Sequence, residues 1–414
     1  MKFIRTIVVM GMILALFLPA ATAKQVEISF LSYFINKDEA LGRQIIADFE
    51  RENPDIKVNL EIFRGEYPHE QTLIRIAAGT PPDVVDVHPS ELYNFMSQGI
   101  LADITEYARR DADLGDYFDP IIESVSLNGR IYALPQRIST YLLFYNSDIF
   151  DNAGVSHPSR NWYDANWNWD TFYEASRKVR RDTDGDGVYN ILGLAINRSI
   201  HEKLITWVFQ AGNYLFDENY TRLTLIEDSG VQALTFIVEG LKEGVFCTGG
   251  FSNGTAAMQV DIPPSMITFW TNANFNFDVA ALPQGPAGPA TTIQPVPYGV
   301  IAASPNKEAA WRFLNYYLNR RNSQLWSKAG VIVQPRKSVA TNLNYYPDMG
   351  LRDLAPFLGA MEVGRPVPNK HANFRKIADL INSALQPVWR GEKDVRSALL
   401  SVKDPVEELL REKK

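Results

Sequence analysis

Between Val26 and Gly99 the apolar residues switch repeatedly between a period of two and a period of 3.6. That switching constrains the fold more than any other feature of the chain. Residues 26–30 alternate and predict a strand. Leu41, Ile45, Ile46 and Phe49 fall on one helical face, and the helix stops at Pro54. Ile56, Val58, Leu60 and Ile62 alternate strictly and predict a second strand. A helix is expected over 69–78, ending near Gly79. Pro81 and Pro82 break the chain, and 84–87 predict a third, more buried strand. Ser90 is placed to cap a short helix that ends at Gly99. The order β-α-β-α-β defines an open α/β unit, in which ligands bind outside the carboxyl ends of the strands. Three segments meet that rule: 32–36, 86–91 and the stretch after Ala133, Leu134 and Pro135.

The remainder keeps the α/β style without an internal repeat. Helices are expected over 169–180, 201–210, 229–242, 306–318, 374–388 and 395–410, and strands over 191–196, 258–260 and 277–281. Residues 285–291 form a Pro/Gly/Ala loop.

The first residues bear on location. Lys2 and Arg5 precede an apolar run over 7–18, then Pro19 and the small-residue site Ala21-Thr22-Ala23. This is the pattern of a cleaved signal peptide covering 1–23, and its core is too short for a membrane span. No Cys follows the run, so no lipid anchor is expected, and the mature chain of about 390 residues is placed in the periplasm or outside the cell. Cys247 is the only cysteine, so an exported fold must hold by packing without an internal disulfide. A formal net charge of -7 argues against nucleic acid as a partner.

Asp182, Asp184, Asp186 and Gly187 imitate the start of a calcium loop. The twelfth position, where such a loop needs a bidentate Glu, is Gly193, and the following apolar residues predict a strand. The segment reads as a polar helix-to-strand turn. No nucleophile elbow, zinc helix, phosphate loop or dinucleotide fingerprint occurs, and the five His residues have no metal-ligand spacing. Neither an enzyme nor a bound cofactor or metal is expected. A carboxylate pair of the glycosidase kind is open to sequence reasoning, because carboxylates are numerous.

The landmarks AAGTPPDVVDV (77–87), GILADITEYA (99–108), GRIYALPQRISTYLLFYNSDIFDNAGV (129–155), NWDTFYEA (168–175), DTDGDG (182–187), GTAAMQVD (254–261), VAALPQGP (279–286), YGVIAASPNKEAAWRFLNYYL (298–318) and VWRGEKDVRSALL (388–400) follow in that order. Together they make the chain resemble the extracellular solute-binding proteins of family 1, the maltose-binding-protein-like components of ABC importers, from about Val26 to Leu410.

The resemblance implies an α/β, two-lobe periplasmic-binding-protein fold of type II. Each lobe is a sheet flanked by helices, with three hinge crossings. Lobe I would comprise 24–137 and 297–333, and lobe II 138–296 and 334–414. The crossings are expected at 136–139, 295–297 and 333–336, each with or beside a proline. The implied ligand is a sugar or short oligosaccharide, handed by a monomeric carrier to ABC permease subunits in the inner membrane. Lobe I would offer Ser32, Tyr33, Asn36, Asp86, His88 and Glu91, although Asn36 and Ser90 serve equally well as helix caps. Arg137 and Ser139 belong to the hinge floor, and Tyr141 starts lobe II; a structural carboxylate partner is the other reading of Arg137. Lobe II would offer Glu202, Asp261, His371 and Phe374. Relatives carry a stacking Trp just after that Asp, where this chain has Ile262-Pro263-Pro264, so Trp270 is either the substitute or core. Trp169 matches a structural Trp of the family. A phosphorylated polyol is the second ligand class, with Arg137, Arg336 and His88 as its cations. An exported glycan-active enzyme and a ligand-sensing partner of a membrane receptor are the competing functions.

Overall fold

The computed structural model describes residues 25–32, 39–63, 68–200, 203–262, 273–330, 333–345 and 353–412. The expected signal peptide lies outside the described residues. No helix among them is long and apolar enough to cross a membrane.

In the first sheet β1 (Val26–Ser32) lies parallel to both β2 (Ile56–Ile62) and β3 (Val84–Asp86). The alternation read in β2 has its expected use: Ile56 and Val58 are buried, and Lys57 and Asn59 are exposed. The helix Glu39–Glu52 covers this sheet with Ile45, Ile46 and Phe49. A hairpin of β4 (Ser126–Leu127) and β5 (Arg130–Ile131) turns on Asn128 and Gly129, whose φ values of 51° and 74° suit a two-residue turn that demands φ above zero twice.

The chain then leaves the first sheet along β6 (Ala133–Thr140). It enters a second sheet of β7 (Leu142–Asn146), β8 (Leu192–Ala195), β9 (Phe246–Cys247), β10 (Ala256–Asp261) and β11 (Phe277–Ala280), ordered β11-β7-β10-β8-β9. All five residues of β7 are buried. It returns along β12 (Thr291–Val300), antiparallel to both β6 and β3, while β13 (Gly364–Pro366) pairs with the start of β12. The β6–β12 ribbon is therefore two crossings in one, pairing Gly299 with Ala133 at one end and Ile293 with Thr140 at the other. The third crossing runs beside it, where the Ile138 N–H donates to Val333 O at 3.1 Å and Tyr117 bridges Arg336.

The buried apolar residues segregate with the sheets. One cluster draws on 138–293 and 354–410, joined by Ile121 and Val333. Two others draw on 28–134 and 298–326. The second sheet thus packs one large core, into which Ile138 and Ile293 of the ribbon also reach, and the rest of the first sheet packs two separate clusters.

Two expectations change. The helix expected over 395–410 is two, Val395–Leu400 and Lys403–Arg411. Pro405 is the cause: its ring excludes the carbonyl of residue 401, four places back, from a continuous helix, yet it sits comfortably in the first turn of a new one. Ser90 does not cap the helix ending before Gly99. That segment begins as a single 3-10 turn over Pro89–Glu91, capped by His88, whose Nδ1 accepts from the Ser90 N–H at 3.3 Å.

Candidate functional site: the strand ends around the hinge ribbon

The parallel strands β1 and β3 end at Ser32 and Asp86, and both ends point toward the crossings. The buried Ser32 hydroxyl donates to Asp86 Oδ2 at 2.5 Å, so the two strand ends are braced to each other. His88 and Glu91 follow on the surface. His88 Nδ1 lies 2.8 Å from Ser90 Oγ, and Glu91 Oε2 accepts from Asn94 Nδ2 at 3.1 Å. Tyr33 and Asn36, expected beside them, lie outside the described residues.

The hinge ribbon presents one open face. Along β6, Gln136, Ile138 and Thr140 are buried, while Arg137 and Ser139 are half-buried; along β12, Gln294 and Val296 are half-buried between buried neighbours. Ser139 pairs with Gln294 and Arg137 with Val296, so the four form one patch. Gln294 had no signal in the sequence. Its exposure follows from the register of a strand 155 residues from Ser139, which periodicity within either strand does not reveal. Tyr141 is in a different situation: it is buried in the second core, and its carbonyl accepts from Thr291 Oγ1 at 2.8 Å.

The second lobe contributes the end of β10. Asp261 pairs across from Leu142, the first residue of β7, and so stands at the hinge end of its sheet. Its Oδ1 accepts from the Ile262 N–H at 2.8 Å and lies 3.0 Å from Lys203 Nζ, and Gln259 Nε2 donates to Oδ2. Lys203 and Gln259 are additions to the sequence-derived set. Glu202 and Trp270 lie outside the described residues.

The last expected loop is anchored elsewhere. His371 Nε2 donates to Leu410 O at 3.1 Å, and its Nδ1 accepts from the Asn373 N–H, which fixes the tautomer. Burial holds the His371 pKa below its ordinary value, against the pull of that carbonyl and of Glu412. Phe374 is 6% exposed and packs edge-on against Phe216 in the second core. From the same loop Asn369 Nδ2 donates to Pro89 O at 3.0 Å, and Lys370 Nζ lies 4.0 Å from Glu123. The loop therefore meets the first lobe through Asn369 and Lys370. The gap beside that contact, lined by Pro89, Tyr93, Gln294, Pro295 and Asn369, encloses about 20 Å³ and suits a water molecule rather than a sugar. A larger depression of about 820 Å³ lies between the helices Trp169–Lys178 and Asp228–Lys242. No strand end or crossing residue lines it, so it is not part of this site.

Arg336 is unavailable to any ligand. It is 3% exposed, its Nε donates to Leu318 O at 3.1 Å, its Nη1 reaches Asp116, and its guanidinium lies 4.4 Å over the Tyr117 ring. Trp169 is 7% exposed, stacks on Phe236 at 4.4 Å and donates through Nε1 to Gln210 at 2.8 Å, in line with a structural role.

The Asp-Gly turn is held by its own backbone. Asp182 accepts from the Gly185 and Gly187 N–H groups at 2.7 and 2.8 Å, and these bonds, Gly187 first, depress its pKa. The carboxylates of Asp182, Asp184 and Asp186 lie within 4.8 Å of one another, all exposed. The twelfth position is closed to a glutamate for a steric reason: a Cβ on Gly193 would stand 2.6 Å from the Ser176 carbonyl oxygen. Chelation with EDTA is therefore expected to shift the melting temperature by less than about 1 °C. A drop of several degrees, restored by calcium and absent in Asp184→Ala, would contradict this.

Comparison with known proteins extends these observations. The chain is 24% identical over 387 residues to the galactooligosaccharide-binding protein of Bacillus subtilis, covering 88% of this chain and 85% of that one. It is 23% identical over 446 residues to the sn-glycerol-3-phosphate-binding periplasmic protein UgpB of Salmonella typhimurium, covering 95% of each. Its structure superposes on the sugar-binding protein MalE from Xanthomonas citri with a TM-score of 0.79 at 21% identity, over 93% of this chain and 97% of that one. The fold is accordingly the two-lobe type with three crossings between lobes. The profile of the bacterial extracellular solute-binding proteins matches residues 36–324, well over half of the 414 residues. With two sheets joined by the β6–β12 ribbon and polar strand ends beside it, this chain belongs to the bacterial extracellular solute-binding protein family.

Proposed function

We propose that this protein captures a sugar or short oligosaccharide between its lobes and delivers it to the permease of an ABC importer. What supports the proposal is the set of hydrogen-bonding groups at the hinge end of each sheet: Asp86, His88 and Glu91 at and after the end of β3, Arg137, Ser139 and Gln294 on the half-buried face of the ribbon, and Asp261 at the end of β10 opposite Leu142. Carboxylates, amides and hydroxyls of this kind match the alternating donors and acceptors of a polyhydroxylated ligand. The galactooligosaccharide-binding relative supports the sugar class. UgpB supports the phosphorylated alternative, but Arg336, one of the three cations that reading requires, is committed to Asp116 and Leu318. The protein acts as an exported monomer, with lobe I formed by 24–137 and 297–333 and lobe II by 138–296 and 334–414; apart from Ile121 and Val333, which pack into the second core, the separate clusters support that division.

Capture works by closure. A ligand favours the closed form only through contacts it makes there and lacks in the open form. Holding the unliganded closed form near 1% takes about 2.7 kcal/mol, and the ligand's contacts with both lobes must exceed that. A bound oligosaccharide at a hundredfold over its Kd is expected to stabilise the fold by about 2.7 kcal/mol. It is also expected to reduce the radius of gyration in solution scattering. No thermal shift across a panel of neutral oligosaccharides would remove the sugar reading, and saturation without contraction would remove the closure mechanism.

A further inference from the structure

Lys203 stands where a purely structural lysine is poorly placed. Its ammonium lies 3.0 Å from Asp261 Oδ1, with side-chain exposures of 16% and 11%. A pair this desolvated is a weak contributor to stability, because removing two charges from water offsets most of their attraction. Lys203 also directly precedes the helix Leu204–Gln210, where the aligned peptide dipoles disfavour a cation. Both residues belong to the hinge end of the second sheet. Asp261 faces Leu142 across the register, and Ala195, the last residue of β8, pairs with Gln259, so the chain leaves β8 at that same end on its way to Lys203.

We infer that Lys203 and Asp261 act together as a ligand-contacting pair for two adjacent hydroxyls of a neutral sugar ring, an inference that rests on the sugar-binding function proposed above. Asp261 is oriented before any ligand arrives, by the Ile262 N–H and by Gln259. The ammonium has three donors, and Asp261 is its one partner among the described residues. One hydroxyl accepts from Lys203 while its neighbour donates to Asp261, and the separation of adjacent ring oxygens is close to that of the two charged atoms. The pair is neutral as a unit, so it favours an uncharged diol over a phosphate, which Asp261 repels.

The test uses calorimetric titration with maltotriose, galactotriose and arabinotriose. Lys203→Met is expected to weaken binding of whichever sugar the wild-type chain takes by roughly tenfold to a hundredfold, the range for hydrogen bonds to a charged group. Lys203→Arg is expected to recover part of the loss. In the wild-type chain, saturating sugar is expected to slow acetylation of Lys203 by acetic anhydride, a readout that needs no variant to fold. Sugar binding with Lys203 acetylated at an unchanged rate, or with Lys203→Met at full affinity, overturns the inference and leaves the sugar-binding function intact. Failure of all three sugars to bind the wild-type chain overturns both.

Discussion

Arg336→Ala is expected to cost about 3–5 kcal/mol of folding stability and to move acid unfolding to higher pH. Arg336 lies on the third crossing and ties it to the first lobe through Asp116, Leu318 and Tyr117. Truncation leaves Asp116, itself 9% exposed, without its most buried partner. Burial works to raise the Asp116 pKa, but the Ser338 N–H and hydroxyl, and then the charges of Arg336 and Arg320, outweigh it and hold the pKa low. A depressed carboxylate stabilises the fold above its unfolded value of about 3.9, and that contribution is lost as pH falls through the lower folded value. Without Arg336 the folded value rises toward the unfolded one, so this carboxylate contributes less stability above about pH 4, and the less stable fold reaches its acid-unfolding midpoint at a higher pH. The same burial pushes the Tyr117 hydroxyl up to about 12, so Tyr117 adds no titration near neutrality. Denaturant unfolding of the ligand-free protein across pH 3–7 checks the prediction. A loss under about 1 kcal/mol at pH 7, with an unmoved acid limb, would show that the network is not holding the crossing.

Phe374→Ala is expected to lower stability by about 3–5 kcal/mol, the range for truncating a buried aromatic side chain. Phe374 is the first residue of the helix Phe374–Trp389, whose Ile377, Ala378, Ile381 and Leu385 fill the second core beside it. The Asn373 side chain, which donates to Leu409 and Glu412, fixes the same point to the terminal helix. A cavity there loosens both helices at once. Phe374→Leu keeps most of the volume and is expected to recover more than half of the loss. Thermal melts of the two variants with calorimetric titration separate the roles. A Phe374→Ala protein that melts like wild type but loses its sugar would return this ring to the ligand contacts that the family resemblance implies.

The strands and helices were legible in the sequence wherever one face alone decided them. Ile56, Val58, Leu60 and Ile62 specify β2 because a strand buries alternate residues whatever lies opposite. Family landmarks in order specified the two-lobe architecture, and Gly193 in place of Glu argued for a turn rather than a calcium loop. Questions of partnership were not legible. Sequence alone offered Arg336 as a cation for a ligand; packing gave it to Asp116, 220 residues away. It offered Phe374 as a stacking platform, and the fold placed it against Phe216. It passed over Lys203 and Gln294, whose positions depend on β8 ending beside β10 and on β12 pairing with β6. The physical reason is common to all four. Period and propensity determine which face of an element is buried, whereas the use of a charged or aromatic side chain depends on which distant segment the sheet order sets beside it.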